Sequence, residues 1–331
     1  MRWECVAYAA TGLRRICTPA SIGLVTLAAQ PDVVAIGETM VLIAPAHAEP
    51  LERAVDFHLD PGGAEANVAS HLAALGRHAA WAGTVGDDTL GRRLVRQLAE
   101  RGVDTRWVGV DPEAPTGVYF KDPGRGVQYF RAGSAASRMA PALLDELPVD
   151  TARIVHLSGI TPALSASCDA LVDAAFALVA PGPAIMSFDV NHRPVLWSST
   201  DVAARRLREL AARADLVFVG LDEAAELWDT ETADDVRALL PEPALLVVKD
   251  GAVGATEFAR IGTSGNIGDT LERVPAVPTD VVEAVGAGDA FAAGYLDAFL
   301  RGASPAERLR AGHERAVLVL AETADFPRTR R

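Results

Sequence analysis

The run Val285-Gly286-Ala287-Gly288-Asp289-Ala290-Phe291 sets two glycines and a carboxylate immediately before the apolar stretch Ala292-Ala293-Gly294-Tyr295. Three consecutive backbone N–H groups there, two of them from glycines, can close around an anion at the positive end of a helix. Asp289 at the same mouth is either the cap of that helix or a base that accepts a proton beside a phosphoryl group. Lysine occurs only at Lys121 and Lys249, outside any GxxxxGK[ST] string, and no GxGxxG motif is present. The P-loop and dinucleotide readings are thereby excluded. Nucleotide phosphates would need another glycine-lined turn, and Lys249-Asp250-Gly251-Ala252-Val253-Gly254-Ala255, directly after an apolar run, offers one. Taken alone, that segment is only a β-turn.

Two further segments carry groups suited to binding. Pro61-Gly62-Gly63-Ala64-Glu65-Ala66-Asn67 opens a helix, where paired glycines let a ligand approach closely and the Asn67 amide is either a ligand contact or a local cap. Asp189-Val190-Asn191-His192-Arg193 follows an apolar run, at the point where an α/β strand ends and ligands bind. His71 and His78, seven apart, share a helix face without a third ligand, and Cys5, Cys17 and Cys168 lack CxxC spacing. Neither a thiolate or histidine metal site nor a disulfide framework is expected, and a reducing compartment fits.

The elements that must hold these groups follow from periodicity. Runs apolar on both faces at 32–36, 154–157, 184–188, 216–219 and 245–248 are the strands of a covered parallel sheet. Helical spacing recurs at 64–75, 90–101, 168–180, 202–213, 289–300 and 305–320. The alternation predicts an α/β fold, a doubly wound, mostly parallel sheet flanked by helices. Residues 39–59 and 117–131 read instead as short strands with turns, the second a hairpin about Asp122-Pro123-Gly124. A small antiparallel sheet fed by both excursions would form a lid at the edge of the core; the other reading is a surface hairpin without function.

Composition narrows the classes further. The 331 residues carry 44 acidic and 31 basic side chains, a net charge of −13, which argues against duplex nucleic acid and anionic membranes as partners. Half the residues are hydrophobic, with 28 Gly and 20 Pro, so a large core punctuated by many turns is expected. No apolar run approaches the roughly 18 residues a membrane helix needs. In residues 1–30, Arg14 and Arg15 precede an apolar stretch that superficially resembles a signal peptide, but Glu4 and Pro19 fit that pattern poorly. An extension or an upstream start preceding the domain is the expectation.

From about residue 31 to 326 the chain resembles the ribokinase-like (PfkB) carbohydrate kinases. The likeness rests on Gly62-Gly63-Ala64 with Asn67, on Gly86-Asp87-Asp88 and Gly91, and on Gly286-Ala287-Gly288-Asp289, in the right order and separation. Within the family it is most similar to the 2-keto-3-deoxygluconate kinases, through Tyr129-Phe130-Arg131-Ala132-Gly133-Ser134-Ala135-Ala136-Ser137-Arg138 and Asp189-Val190-Asn191-His192-Arg193-Pro194. An anionic sugar approaching a protein of this charge needs local guanidinium donors, which Arg131 and Arg193 would supply.

The resemblance implies a sugar site of Gly62, Gly63, Asn67, Tyr119, Tyr129, Arg131, Arg193 and Asp325. It implies that Asn191, Lys249, Gly251, Gly254, Gly286, Gly288 and His313 flank ATP. Asp289 would be the base, and the N–H groups of Gly286, Ala287 and Gly288 would stabilise the transferred phosphoryl group. Glu223, in Gly220-Leu221-Asp222-Glu223, would orient Mg²⁺ through water, although the family's Asn-x-x-Glu motif has lost its Asn here. Glu283-Ala284-Val285 stands where many members carry Asp-Thr, which leaves monovalent-cation activation open. The implied protein is a cytoplasmic homo-oligomer, a dimer or higher, with a kinase domain at 31–326 and a short tail at 327–331. The implied reaction is ATP-dependent phosphorylation of 2-keto-3-deoxy-D-gluconate to its 6-phosphate. A fructokinase-like enzyme for a neutral sugar and a sugar-sensing protein without catalysis are the other readings.

Overall fold

The computed structural model describes residues 30–47, 49–261, 268–321 and 324–327. The expected extension up to residue 29, with Cys5 and Cys17, and the tail at 328–331 lie outside the described residues. The chain begins with β1 (Val33–Ile36), β2 (Met40–Pro45), β3 (Phe57–Gly62), α1 (Ala64–Ala74), β4 (Ala79–Gly86), α2 (Thr89–Glu100) and β5 (Val108–Asp111). It continues through β6 (Val118–Asp122), β7 (Gly126–Phe130), β8 (Ile154–Ser158), α3 (Ala166–Val179), β9 (Ile185–Asp189), α4 (Thr200–Arg213) and β10 (Leu216–Gly220). The last part holds α5 (Leu221–Trp228), α6 (Ala233–Leu239), β11 (Leu245–Asp250), β12 (Gly254–Ile261), β13 (Gly268–Pro275), α7 (Ala287–Leu300) and α8 (Pro305–Leu320).

Nine strands form one sheet in the order β13-β12-β11-β10-β9-β8-β1-β4-β5, parallel from β11 to β5 and antiparallel at β12 and β13. Successive strand residues serve opposite cores, as the period of two demands. Val34 and Ile36 belong to the core covered by α3, α4, α5 and α6, whereas Val33 and Ala35 belong to the core covered by α1, α2, α7 and α8. Strands wetted on neither face must be apolar throughout, and β1 is buried at all four positions. This is the doubly wound arrangement expected.

The second sheet has the order β3-β2-β6-β7. It was expected to be antiparallel, but β2 and β6 pair in parallel. Each of them follows a strand of the large sheet, β1 and β5, and those two run the same way. The first excursion also reaches further than 39–59, because β3 ends at Gly62, one residue from the start of α1. Asp88 anchors the second excursion. It caps α2 by accepting from the Gly91 N–H at 2.7 Å and accepts from the Thr116 N–H at 2.8 Å, at the root of β6. Met40, Leu42, Ala44 and Tyr119 form the buried face of this small sheet, with Tyr129 packed on it.

Candidate active site

The parallel strands end at one edge, and the groups singled out by sequence gather there. Asp189 closes β9, Gly220 closes β10, and Lys249 lies near the end of β11, while α1 and α7 begin at the same edge. Gly286, at φ 89°, turns the chain into α7, a conformation costly for any residue with a Cβ. A Cβ at Gly62 or Gly63 would collide with the Tyr119 hydroxyl or the Glu38 carbonyl respectively, so the paired glycines are a packing requirement at this mouth.

Asp289 lies in the first turn of α7 and is 8% exposed. The Asn67 amide donates to its Oδ2 at 2.8 Å and the Asn191 amide to its Oδ1 at 3.4 Å. Burial, reinforced by the nearby Asp189 and Asp325 charges and opposed by the Asn67 hydrogen bond and Arg193, raises its pKa to about 7. A carboxyl group poised there can take a proton near neutrality. Asn191, expected beside the nucleotide, thus stands against the candidate base.

Asp325 meets Asp289 through Asn67, whose amide also lies 3.4 Å from Asp325 Oδ2. The Tyr119 hydroxyl donates to Asp325 Oδ2 at 2.7 Å, and Lys121 Nζ pairs with Oδ1 at 2.7 Å. Arg131 is buried and ion-paired with Glu38, and its guanidinium lies 5.2 Å from the centroid of the Tyr129 ring. Burial pushes the Glu38 carboxyl up despite that partner. Arg193 is less committed: it donates to the His192 carbonyl at 2.9 Å and approaches Glu223 at 3.9 Å. Gly63, Asn67, Tyr119, Tyr129, Arg131, Arg193, Gly286, Asp289 and Asp325 line one small cavity of about 50 Å³, with Glu38 and Glu65.

A second cavity, about 550 Å³, opens on the other side of the turn before α7. Lys249, Gly251, Gly254, Gly288 and His313 line it with Phe291 and a mostly apolar wall that includes Val277, Val281, Val317 and Leu320. His313 Nε2 lies 3.2 Å from the Val274 carbonyl, so that nitrogen is the donor and Nδ1 the acceptor. Lys249 Nζ contacts Asp189 at 2.9 and 3.2 Å. Burial alone would lower its pKa, but Asp189 and Glu223 outweigh burial and raise it. A Cβ built on Gly288 would lie 3.5 Å from Lys249 Nζ, so this cation faces the turn that was expected to hold an anion. Within that turn the Ala287 N–H donates to Ala284 O at 3.2 Å, so one of the three N–H groups assigned to an anion already has a partner.

Among the described residues no group of three or more His, Cys, Asp or Glu side chains is arranged to hold a metal ion by itself. Asp189 and Glu223 nonetheless bring carboxylates to bear on one point, Lys249 Nζ. Two hard oxygen donors completed by phosphate oxygens and water are a set Mg²⁺ accepts. Glu223 is fixed by the Gly220 N–H, which donates to its Oε2 at 2.9 Å. Sequence reasoning passed over Glu38, Lys121 and a role for Asp189. Glu38 and Asp189 could have been found from their positions at or just beyond the carboxyl ends of parallel strands.

The pfkB family carbohydrate kinase pattern matches residues 30–325. A 2-dehydro-3-deoxygluconokinase of Thermoproteus tenax is 33% identical over 304 residues, which cover 89% of this chain and 90% of that protein. A probable fructokinase-5 of Arabidopsis thaliana is 31% identical over 278 residues, 82% of this chain and 83% of that one. The crystal structure of a PfkB protein from Polaromonas sp. JS666 superposes with a TM-score of 0.77 at 35% identity, covering 87% of this chain and 95% of that one. No helix among the described residues is long and apolar enough to cross a membrane.

Proposed function

The chain belongs to the pfkB family of carbohydrate kinases, and we propose that it transfers the γ-phosphoryl group of ATP to the terminal hydroxyl of 2-keto-3-deoxy-D-gluconate, giving the 6-phosphate. One observation carries the choice of substrate: the guanidinium groups of Arg131 and Arg193 line the same small cavity as Asp289. A sugar acid presents a carboxylate at one end and a primary hydroxyl at the other, matching guanidinium donors on one side and a base on the other. Glu38 competes for Arg131, and burial raises the pKa of its carboxyl despite that pairing.

In this reading Asp289 accepts the hydroxyl proton while the sugar oxygen forms its bond to the γ-phosphorus and the bond from phosphorus to the ADP oxygen breaks. Asn67 and Asn191 hold the carboxylate in line by donating to one oxygen each. Lys249, beside Gly288, offsets charge gathering on the phosphoryl oxygens, and the N–H groups of Gly286 and Gly288 would assist it, that of Ala287 being held by the Ala284 carbonyl. Asp189 and Glu223 would hold Mg²⁺ through water, and the ion when bound neutralises phosphate charge. The adenine belongs in the apolar cavity near His313 and Phe291. We place the reaction in the cytoplasm, where ATP is supplied.

A second reading is favoured by a specific feature. Arg131 is already neutralised by Glu38, and a neutral ketose would leave that pair intact, as in a fructokinase-like enzyme. ADP release in the presence of ATP and Mg²⁺ separates the two. The substrates are 2-keto-3-deoxygluconate, 2-keto-3-deoxygalactonate, gluconate, fructose and ribose, with a sugar-free control. Turnover confined to the keto-deoxy acids is expected. Preference for fructose or ribose would discard the acid-sugar reading and keep the chemistry at Asp289.

A further inference from the structure

His71 plays no part in the transfer just described, yet it lies four residues after Asn67 on the same face of α1. It is fully buried. The Arg315 Nε–H of α8 donates to its Nδ1 at 2.8 Å, so Nδ1 carries no proton. The proton is therefore on Nε2, which donates to the backbone carbonyl of Asp325 at 3.3 Å. Burial, with the adjacent Arg315 charge, lowers the imidazole pKa to about 3 and keeps the ring neutral. The ring of Phe326 lies 5.0 Å from the imidazole, and the Arg101 guanidinium lies 4.5 Å from the centroid of Phe326. Asp325 itself belongs to no helix or strand, so no hydrogen-bond ladder holds its backbone.

We propose that His71 is a positioning residue for the sugar site: by donating to the Asp325 carbonyl, with its tautomer fixed by Arg315, it holds the Asp325 carboxylate in place among Tyr119, Lys121 and Asn67. The proposal rests on the reading of Asp325 as a sugar contact. Two residues of one helix face thus divide the task. Asn67 engages the carboxylates of Asp289 and Asp325, and His71 engages the main chain behind the second of them. Arg315 acts one step further out, because without its donor the imidazole could turn its lone pair toward the Asp325 carbonyl and lose the bond.

The test is steady-state kinetics on the full chain with whichever sugar the wild type turns over best, comparing His71→Leu, His71→Gln and Asp325→Asn. His71→Leu is expected to raise the sugar KM about three- to tenfold, the scale of one lost hydrogen bond, with the ATP KM within about twofold of wild type. His71→Gln, whose amide can extend a donor toward the same carbonyl, should recover most of that loss, which a role in packing alone would not allow. Equal rises in both KM values, or no rise in the sugar KM, would overturn the proposal. If Asp325→Asn raises the sugar KM and His71→Leu does not, the fault lies in the role given to His71. If Asp325→Asn has no effect, the fault lies in the sugar site itself and the proposal falls with it. Should His71→Leu fail to fold, nitrogen NMR of the wild-type imidazole at neutral pH decides. The neutral ring protonated at Nε2 is expected, and an Nδ1–H or imidazolium signature would refute the mechanism.

Discussion

At the end of the cleft proposed for the sugar, Arg131, Lys121, Asp289 and Asp325 are all buried, and each is engaged by a fixed partner. In the larger cavity, proposed for the nucleotide, the wall beyond the Lys249–Asp189 pair is largely apolar, with Val277, Val281, Val317 and Leu320 around His313. Buried charges survive only where partners and hydrogen bonds compensate their desolvation, and such arrangements discriminate strongly between ligands that complete them and ligands that do not. An apolar slot lined by backbone accepts a flat ring by shape and discriminates weakly. The two ends should therefore respond unequally to substitution, with steep and substrate-specific losses at the sugar end and shallow ones at the other.

The largest expected effect is that of Asp289→Asn, which should lower kcat by about a hundredfold or more, the scale of a general base. The wild-type rate should fall as the pH drops through about 7, the value to which burial and the neighbouring carboxylates raise this group, and the variant should lack that limb. Linkage supplies an independent check. A carboxyl group whose pKa is raised on folding contributes stability that is present below its unfolded value and is lost as pH rises through the folded value. Asp289→Asn should thus raise Tm at pH 8 by several degrees, by less at pH 5, and by nothing near pH 4. Unchanged turnover, or a variant less stable at pH 8, would break the picture of a base held against its own solvation.

How much of this was readable in sequence depended on the range of the interaction. Strands buried on both faces, such as 32–36 and 216–219, announced themselves, and the Gly286 to Asp289 turn did so because its chemistry is local. β4 did not, because its Ala79-Ala80-Trp81-Ala82-Gly83 stretch is built of small residues beside one Trp, a pattern that does not separate strand from helix. The hairpin of β12 and β13 was hidden behind the turn at Lys249. Pairings such as Asn67 with Asp289, 222 residues apart, or Glu38 with Arg131, 93 apart, exist only once the sheet has brought strand ends together. Arg131 read as a donor awaiting a substrate; that a buried carboxylate already holds it is a property of the fold alone.

A smaller effect is expected at Arg193, which is more than a third exposed at its side chain and only loosely tied to Glu223. Arg193→Ala should weaken an acid sugar by about 1.5 to 3 kcal/mol, the scale of a hydrogen bond to a charged group, and a neutral sugar far less. KM measured for 2-keto-3-deoxygluconate and for fructose checks this. Equal losses for both would remove the carboxylate from Arg193 and leave it a surface cation.

The smallest effect belongs to the nucleotide end. His313 donates through Nε2 to the Val274 carbonyl and packs edge-on to Phe291, with ring centroids 5.1 Å apart, so its main bonds are to the protein. What ATP can draw from it is the edge at Nδ1 and some surface, both replaceable by water and by the surrounding valines. His313→Ala should therefore raise the ATP KM only about two- to fivefold, the yield of one modest contact, with kcat and the sugar KM unchanged. A loss of thirtyfold or more would mean that the adenine pocket, like the sugar end, depends on a specific polar pairing, and the contrast between shape around the adenine and paired charge around the sugar would have to be abandoned.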